Sequence, residues 1–171
     1  MDKSNPTSPF DEPLADALAL FSSLELGYAL IGGVAAMYYG RERFREDFDF
    51  VVQSGHQAAF EACPTVMRSH RFDPTYTCKP HHASGMEIDL WEGEFVDGTI
   101  WRAAHRTVGE KSLRIAEPHD LVAMKFRAGR LQDDYDVSET LKATPLDHAT
   151  LSALVTPAQF CHFLTIVART R

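Results

Sequence analysis

The chain has 171 residues, of which 24 are Asp or Glu and 17 are Lys or Arg, giving a net charge of −7 with His neutral. That balance argues against a surface that binds nucleic acid everywhere, though not against a local basic patch. At 44% hydrophobic and 24% charged residues, the composition excludes a disordered chain, and a chain of this length can bury roughly 70% of its unfolded surface without staples.

Residues 1–12 are dominated by Ser, Asn and Pro and read as a disordered lead without the apolar segment of a secretory signal. From Pro13 the apolar residues Leu14, Ala17, Leu18 and Phe21 fall at helical spacing, and the stripe ends near Gly27. Tyr28–Ile31 is a short apolar run that reads as a buried strand stopping at Gly32-Gly33. Val34–Tyr39 follows as a short helix closed by Gly40. After the charged link RERFRED, Asp47–Val52 alternates acid and aromatic before turning apolar, which is a strand pattern.

His56–Ala62 reads as another short helix. Strands are expected around Val66, over Thr75–Cys78 and over Met86–Trp91, the last two forming a hairpin across the turn-rich residues 79–85. Leu113–Ala116 reads as a final short strand. Glu117-Pro118 then opens a helix that runs to Ala128 and stops at Gly129, with a second helix from Leu131. Pro145 and Pro157 punctuate the tail, where Phe160, Phe163, Leu164 and Val167 mark an amphipathic helix.

The expected fold class is α/β (α+β): a small mixed sheet with flanking helices over residues 13–116, and a helical region over 117–171 packed on it. Cys63, Cys78 and Cys161 form no CxxC pair, so they read as free thiols of a reducing cytosol. The longest weakly polar run, Tyr28–Gly40, falls short of the roughly 20 residues that cross a bilayer. A soluble cytoplasmic protein with no membrane partner is expected.

The segment Leu30–Val52 carries the most chemistry. On a strand Asp47 and Asp49 share one face while Phe48 and Phe50 share the other. Two carboxylates on one face repel unless a divalent cation sits between them. Met86–Leu90 repeats the pattern, with Glu87 and Asp89 on one face and Ile88 and Leu90 behind. If the two strands lie side by side, three or four carboxylates converge, as a metal site for nucleotidyl transfer requires. In isolation a D-x-D describes a solvated strand face just as well.

Gly32-Gly33, between strand and helix, lets backbone amides approach an anion; taken alone it is an ordinary tight turn. Arg41, Arg43 and Arg45 form a basic cluster that either neutralises phosphates or pairs with Glu42, Glu46 and Asp47. His81-His82 lacks identifiable metal partners, and Trp91 and Trp101 suit base stacking or plain packing.

Together these residues resemble the nucleotidyltransferase superfamily, the fold shared by polymerase-β-like enzymes. The match runs strand, Gly-Gly turn, helix, then Arg43-Phe-Arg-Glu-Asp47-Phe-Asp49. A second stretch, from Pro118-His-Asp-Leu through Lys125 and Arg130 to Asp133-Asp-Tyr-Asp136, is similar to the P-x-D-L-h-x-x-K-x-x-A-x-R-x-x-D-x-x-D of minimal bacterial members of abortive-infection and toxin–antitoxin type. The resemblance covers residues 14–140.

It implies an enzyme that transfers NMP from an NTP to a hydroxyl on an RNA 3′ end, a protein or a small molecule. The cofactor it implies is Mg²⁺, or Mn²⁺ in its place. Asp47, Asp49 and Asp89 would ligate the metal, with Asp89 acting on the attacking hydroxyl and Glu87 its rival as third carboxylate. Gly32 and Gly33 would hold the triphosphate, with Arg43, Lys125, Arg130, Asp133 and Asp136 completing the nucleotide site. A toxin–antitoxin or phage-defence role with a cognate partner protein follows from the same likeness. The alternative is a catalytically inactive binding or regulatory module of that fold. Two departures bear on substrate choice: Arg45 stands where relatives often carry Ser or Thr, and Gly33 where many carry Ser.

Overall fold

The computed structural model describes residues 11–40, 47–53, 55, 87–92, 94–108, 111–130 and 132–170. The expected helix His56–Ala62, the strands near Val66 and Thr75–Cys78, the hairpin, and Arg41, Arg43 and Arg45 lie outside these residues, as do Cys63, Cys78 and His81-His82. Among the described residues the order is α1 (Asp11–Ser23), β1 (Tyr28–Ile31), α2 (Gly32–Tyr38), β2 (Asp47–Val52), β3 (Glu87–Trp91), α3 (Glu94–Arg102), β4 (Ala104–Val108), β5 (Lys111–Ile115), α4 (Pro118–Ala128), α5 (Asp133–Ala143), α6 (His148–Leu154) and α7 (Pro157–Thr170).

Five strands form one mixed sheet in the order β3-β2-β1-β5-β4. β1 runs antiparallel to β2, with Ile31 opposite Asp49, and parallel to β5, with Leu30 opposite Ile115. β2 runs parallel to β3, which sets Asp47 beside Glu87 and Asp49 beside Asp89. β4 and β5 make an antiparallel hairpin at the far edge.

Alternation along β2 and β3 divides the sheet into two chemistries. Phe48, Phe50, Ile88 and Leu90 are buried in an apolar cluster with Leu14, Ala17 and Phe21 of α1 and Val96 and Ile100 of α3. Phe21 meets Phe50 edge-on with ring centroids 5.1 Å apart, a geometry that adds about 1 kcal/mol beyond area burial. A second cluster gathers Val122, Ala123, Val137, Leu151, Phe163 and Ile166 among α4–α7. Helix α4 serves both, with Leu121 in the first cluster and Val122 and Ala123 in the second.

Several boundaries differ from the sequence expectation. Helix α1 starts two residues before Pro13; proline is tolerated there because the first turn has no intrahelical partner for its N–H. Helix α2 begins at Gly32, directly from the strand, and α5 begins at Asp133, two residues later than expected. Helix α3 and strand β4 were not anticipated. EFVDGTIWR carries Gly98 and three β-branched residues, which lowers helix propensity, and AHRTV lacks apolar alternation. Tertiary burial of Val96 and Ile100 decides for the helix. The short helix α6, between Pro145 and Pro157, was also missed; Asp147 caps it by accepting from the Thr150 N–H at 2.7 Å.

Candidate active site

The turn from β1 into α2 is shaped by Gly32. Its φ is +64°, and a Cβ there would lie 1.9 Å from Asp49 Oδ2 and 2.6 Å from Cγ. Any side chain at this position would displace the Asp49 carboxylate, so the glycine allows the backbone and the acid to share one space. Gly33 is buried at the start of the helix.

Strand register does the rest. Asp47, Asp49 and Asp89 each present a carboxylate oxygen, and these oxygens lie within 4.8 Å of one another. Asp89 is only 4% exposed. The Asp49 carboxyl is pushed up to about 6, first by burial and then by repulsion from Asp47 and Asp89. The Trp91 indole and the Lys125 ammonium pull in the other direction and only partly offset the rise. Three hard oxygen donors crowded around a carboxyl raised in this way fit a small divalent cation, which relieves the same repulsion. The metal expected from the sequence therefore suits the residues present.

A second charged group faces the first. Lys125 projects from α4, is 12% exposed at its side chain, and donates from Nζ to Asp136 Oδ2 at 2.7 Å. Asp133 Oδ1 lies 3.3 Å from the same ammonium. Burial works against the Asp133 carboxylate, but the Arg130 backbone N–H and guanidinium, together with Lys125, outweigh it and hold its pKa below the ordinary value. The Arg130 N–H donates to Asp133 Oδ2 at 2.8 Å. Both acids stand in the first turn of α5, where the helix dipole favours negative charge.

The structure thus brings Gly32, Gly33, Asp47, Asp49 and Asp89 to one corner of the sheet. Lys125 is near enough to act on Asp49, and Asp133 and Asp136 grip Lys125. Arg130 is more remote, pairing with Asp133 while its side chain stays 55% exposed. Arg43 falls outside the described residues, and Glu87 is known by its register position alone.

Sequence reasoning missed the influence of Trp91 on Asp49. The signal was available, since Trp91 lies two residues beyond Asp89 on a strand and so shares its face. Trp101 stands apart on α3, 83% exposed, and Cys161 is a free, exposed thiol on α7.

No protein-family model and no curated protein sequence matches the chain. Solved structures do. The antibiotic-resistance factor ANT(2″)-Ia is 13% identical, with a TM-score of 0.62 over 92% of this chain and 94% of its own. An antigenic nucleotidyltransferase-like protein from Paracoccidioides brasiliensis is 14% identical, with a TM-score of 0.59 over 95% of this chain and 89% of its own. The lincomycin-bound lincosamide antibiotic adenylyltransferase LnuA is 15% identical, with a TM-score of 0.57 over 78% of this chain and 98% of its own. The chain has the nucleotidyltransferase fold. In this chain the fold holds the three-carboxylate corner on β2 and β3, and the matches span most of the chain.

Proposed function

We propose that the protein is a Mg²⁺-dependent nucleotidyltransferase that moves NMP from an NTP to a hydroxyl acceptor. The observation that carries this reading is the convergence of Asp47, Asp49 and Asp89 beside the Gly32-Gly33 turn, with Lys125 close enough to act on Asp49. The adenylyltransferase neighbours support the same chemistry.

Asp47, Asp49 and Asp89 would hold the cation, which supplies positive charge for the phosphate oxygens and acidifies a bound hydroxyl. Gly32 and Gly33 offer backbone N–H groups to the triphosphate without side-chain obstruction. Lys125, held by Asp133 and Asp136, neutralises phosphate charge as the nucleotide enters, and Arg130 does so from the rim. Asp89 takes the acceptor's proton as the hydroxyl oxygen bonds to the α-phosphorus. The bond from that phosphorus to the bridging oxygen breaks, and pyrophosphate leaves with the electron pair.

Two structural neighbours are named with antibiotics, one bound to lincomycin and one in complex with adenylyl-2″-tobramycin. They favour a small-molecule acceptor over RNA or a protein partner of toxin–antitoxin type. The test is incubation with each α-labelled NTP and Mg²⁺ against separated RNA, protein and small-molecule fractions. Label in the small-molecule fraction, lost with EDTA and with Asp47→Asn, supports the reading. Label that survives Asp47→Asn refutes it.

A further inference from the structure

Asp120, in the Pro118-His-Asp-Leu stretch, has no part in the site so far. It is 2% exposed, and a lone buried carboxylate would be costly. Its partners come from α3: Thr99 Oγ1 donates to Oδ1 at 3.1 Å, and Arg102 donates from Nε to Oδ2 at 3.0 Å and from a second nitrogen to Oδ1.

The path of Arg102 has a visible cost. A Cβ on Gly98 would lie 3.1 and 3.3 Å from the two terminal guanidinium nitrogens. A glycine inside a helix costs about 1 kcal/mol relative to alanine. Here it clears the groove in which the guanidinium folds back toward Asp120. Buried ion pairs return little net stability, and their best-attested use is to fix register. Helix α3 is itself fastened to the sheet, because Arg114 of β5 donates to the Ile100 and Ala103 carbonyls at its C-terminus.

A continuous set of contacts therefore runs from β5 through α3 to Asp120 and along α4 to Lys125. Lys125 lies five positions after Asp120, about 140° of helix rotation, so one faces α3 while the other faces the carboxylates. We infer that Asp120 is a positioning residue: the Arg102–Asp120 pair fixes the rotation and register of α4, and so holds the Lys125 ammonium where the nucleotide phosphates bind. This inference rests on the proposed nucleotidyltransferase reading.

The decisive variant replaces the pair by apolar residues, Asp120→Leu with Arg102→Met, which preserves packing but removes the directional fork. A purely structural pair would be replaced without functional loss. A positioning pair gives a melting temperature near wild type, an unchanged Mg²⁺-induced rise in melting temperature, and a KM for NTP raised on the order of tenfold or more with kcat less affected. Wild-type KM in the double variant overturns the inference. If that variant does not fold, the near-isosteric Asp120→Asn decides, with a raised KM expected and a wild-type KM overturning it. Should the wild-type protein bind no nucleotide with Mg²⁺, the functional reading fails separately. Hydrogen exchange tests the mechanical half of the inference by itself: faster exchange over residues 121–128 in either variant supports the fixing of α4 by the pair, and unchanged exchange there refutes it.

Discussion

The two charged clusters that face each other across the site are built on opposite terms. On the sheet, Asp47, Asp49 and Asp89 crowd together, and burial first and then their mutual repulsion push the Asp49 carboxyl up to about 6. On the helices, Asp133 and Asp136 hold Lys125, and the Asp133 pKa is held down. One cluster is short of positive charge and the other carries its own. The difference separates a place made to receive a cation from one made to hold a cationic side chain still. Elementary electrostatics makes the first costly to the fold unless a cation fills it, while the second is compensated from within and becomes costly only when one partner is removed.

The sharpest way to break the comparison is to remove the cation that the helical cluster already owns. Lys125→Ala leaves two buried carboxylates facing each other, and it is expected to destabilise the protein by about 3–5 kcal/mol. Nucleotide binding falls with it. Lys125→Ala combined with Asp136→Ala should recover part of the stability and none of the binding. Urea denaturation and nucleotide titration check both outcomes.

The sheet cluster should respond with the reverse sign. The folded pKa of Asp49, about 6, lies above its ordinary 3.8. The native state therefore retains this proton where the unfolded chain has released it. Its contribution favours the folded state at low pH and is lost as pH rises from about 4 through 6, up to about 3 kcal/mol in the metal-free protein. Asp49→Asn is accordingly expected to raise the metal-free melting temperature at pH 7.5 while abolishing the stabilisation by Mg²⁺. Melting curves between pH 4.5 and 8, in EDTA and in Mg²⁺, read both effects. A metal-free melting temperature lowered by Asp49→Asn would contradict the idea of mutual repulsion.

The smallest effect belongs to Arg130. Its guanidinium is 55% exposed and stands 3.3 Å from Asp133, so Arg130→Ala is expected to change stability by less than about 1 kcal/mol. Any loss of nucleotide affinity should shrink as salt rises, because the side chain acts from solvent. Denaturation and binding at 50 and 300 mM salt would show this.

How much of this was legible in the sequence follows from the range of the interactions involved. The carboxylate pairs could be read because strand alternation is local: Asp47-Phe-Asp-Phe and Glu87-Ile-Asp-Leu state their faces within four residues. The Pro118 start and Gly129 stop of α4 were equally local, and the left-handed φ of +63° at Gly129 agrees with them. Spacing alone did not show that β2 and β3 lie side by side, since pairing strands 40 residues apart is a tertiary fact. The Arg102–Asp120 pair was hidden for the same reason, and Gly98 disguised the helix that carries it. Trp91 was in plain view by alternation, but indole chemistry alone does not say whether it stacks on a base or tunes an acid.

The most direct measurement is a crystal structure with Mn²⁺ and a non-hydrolysable NTP, located by the anomalous signal of the metal. The expected result is a Mn²⁺ peak within coordination distance of Asp47, Asp49 and Asp89, with the triphosphate against Gly32-Gly33 and Lys125. A nucleotide bound elsewhere, or Mn²⁺ absent from the three carboxylates while the nucleotide is bound, would contradict the assignment.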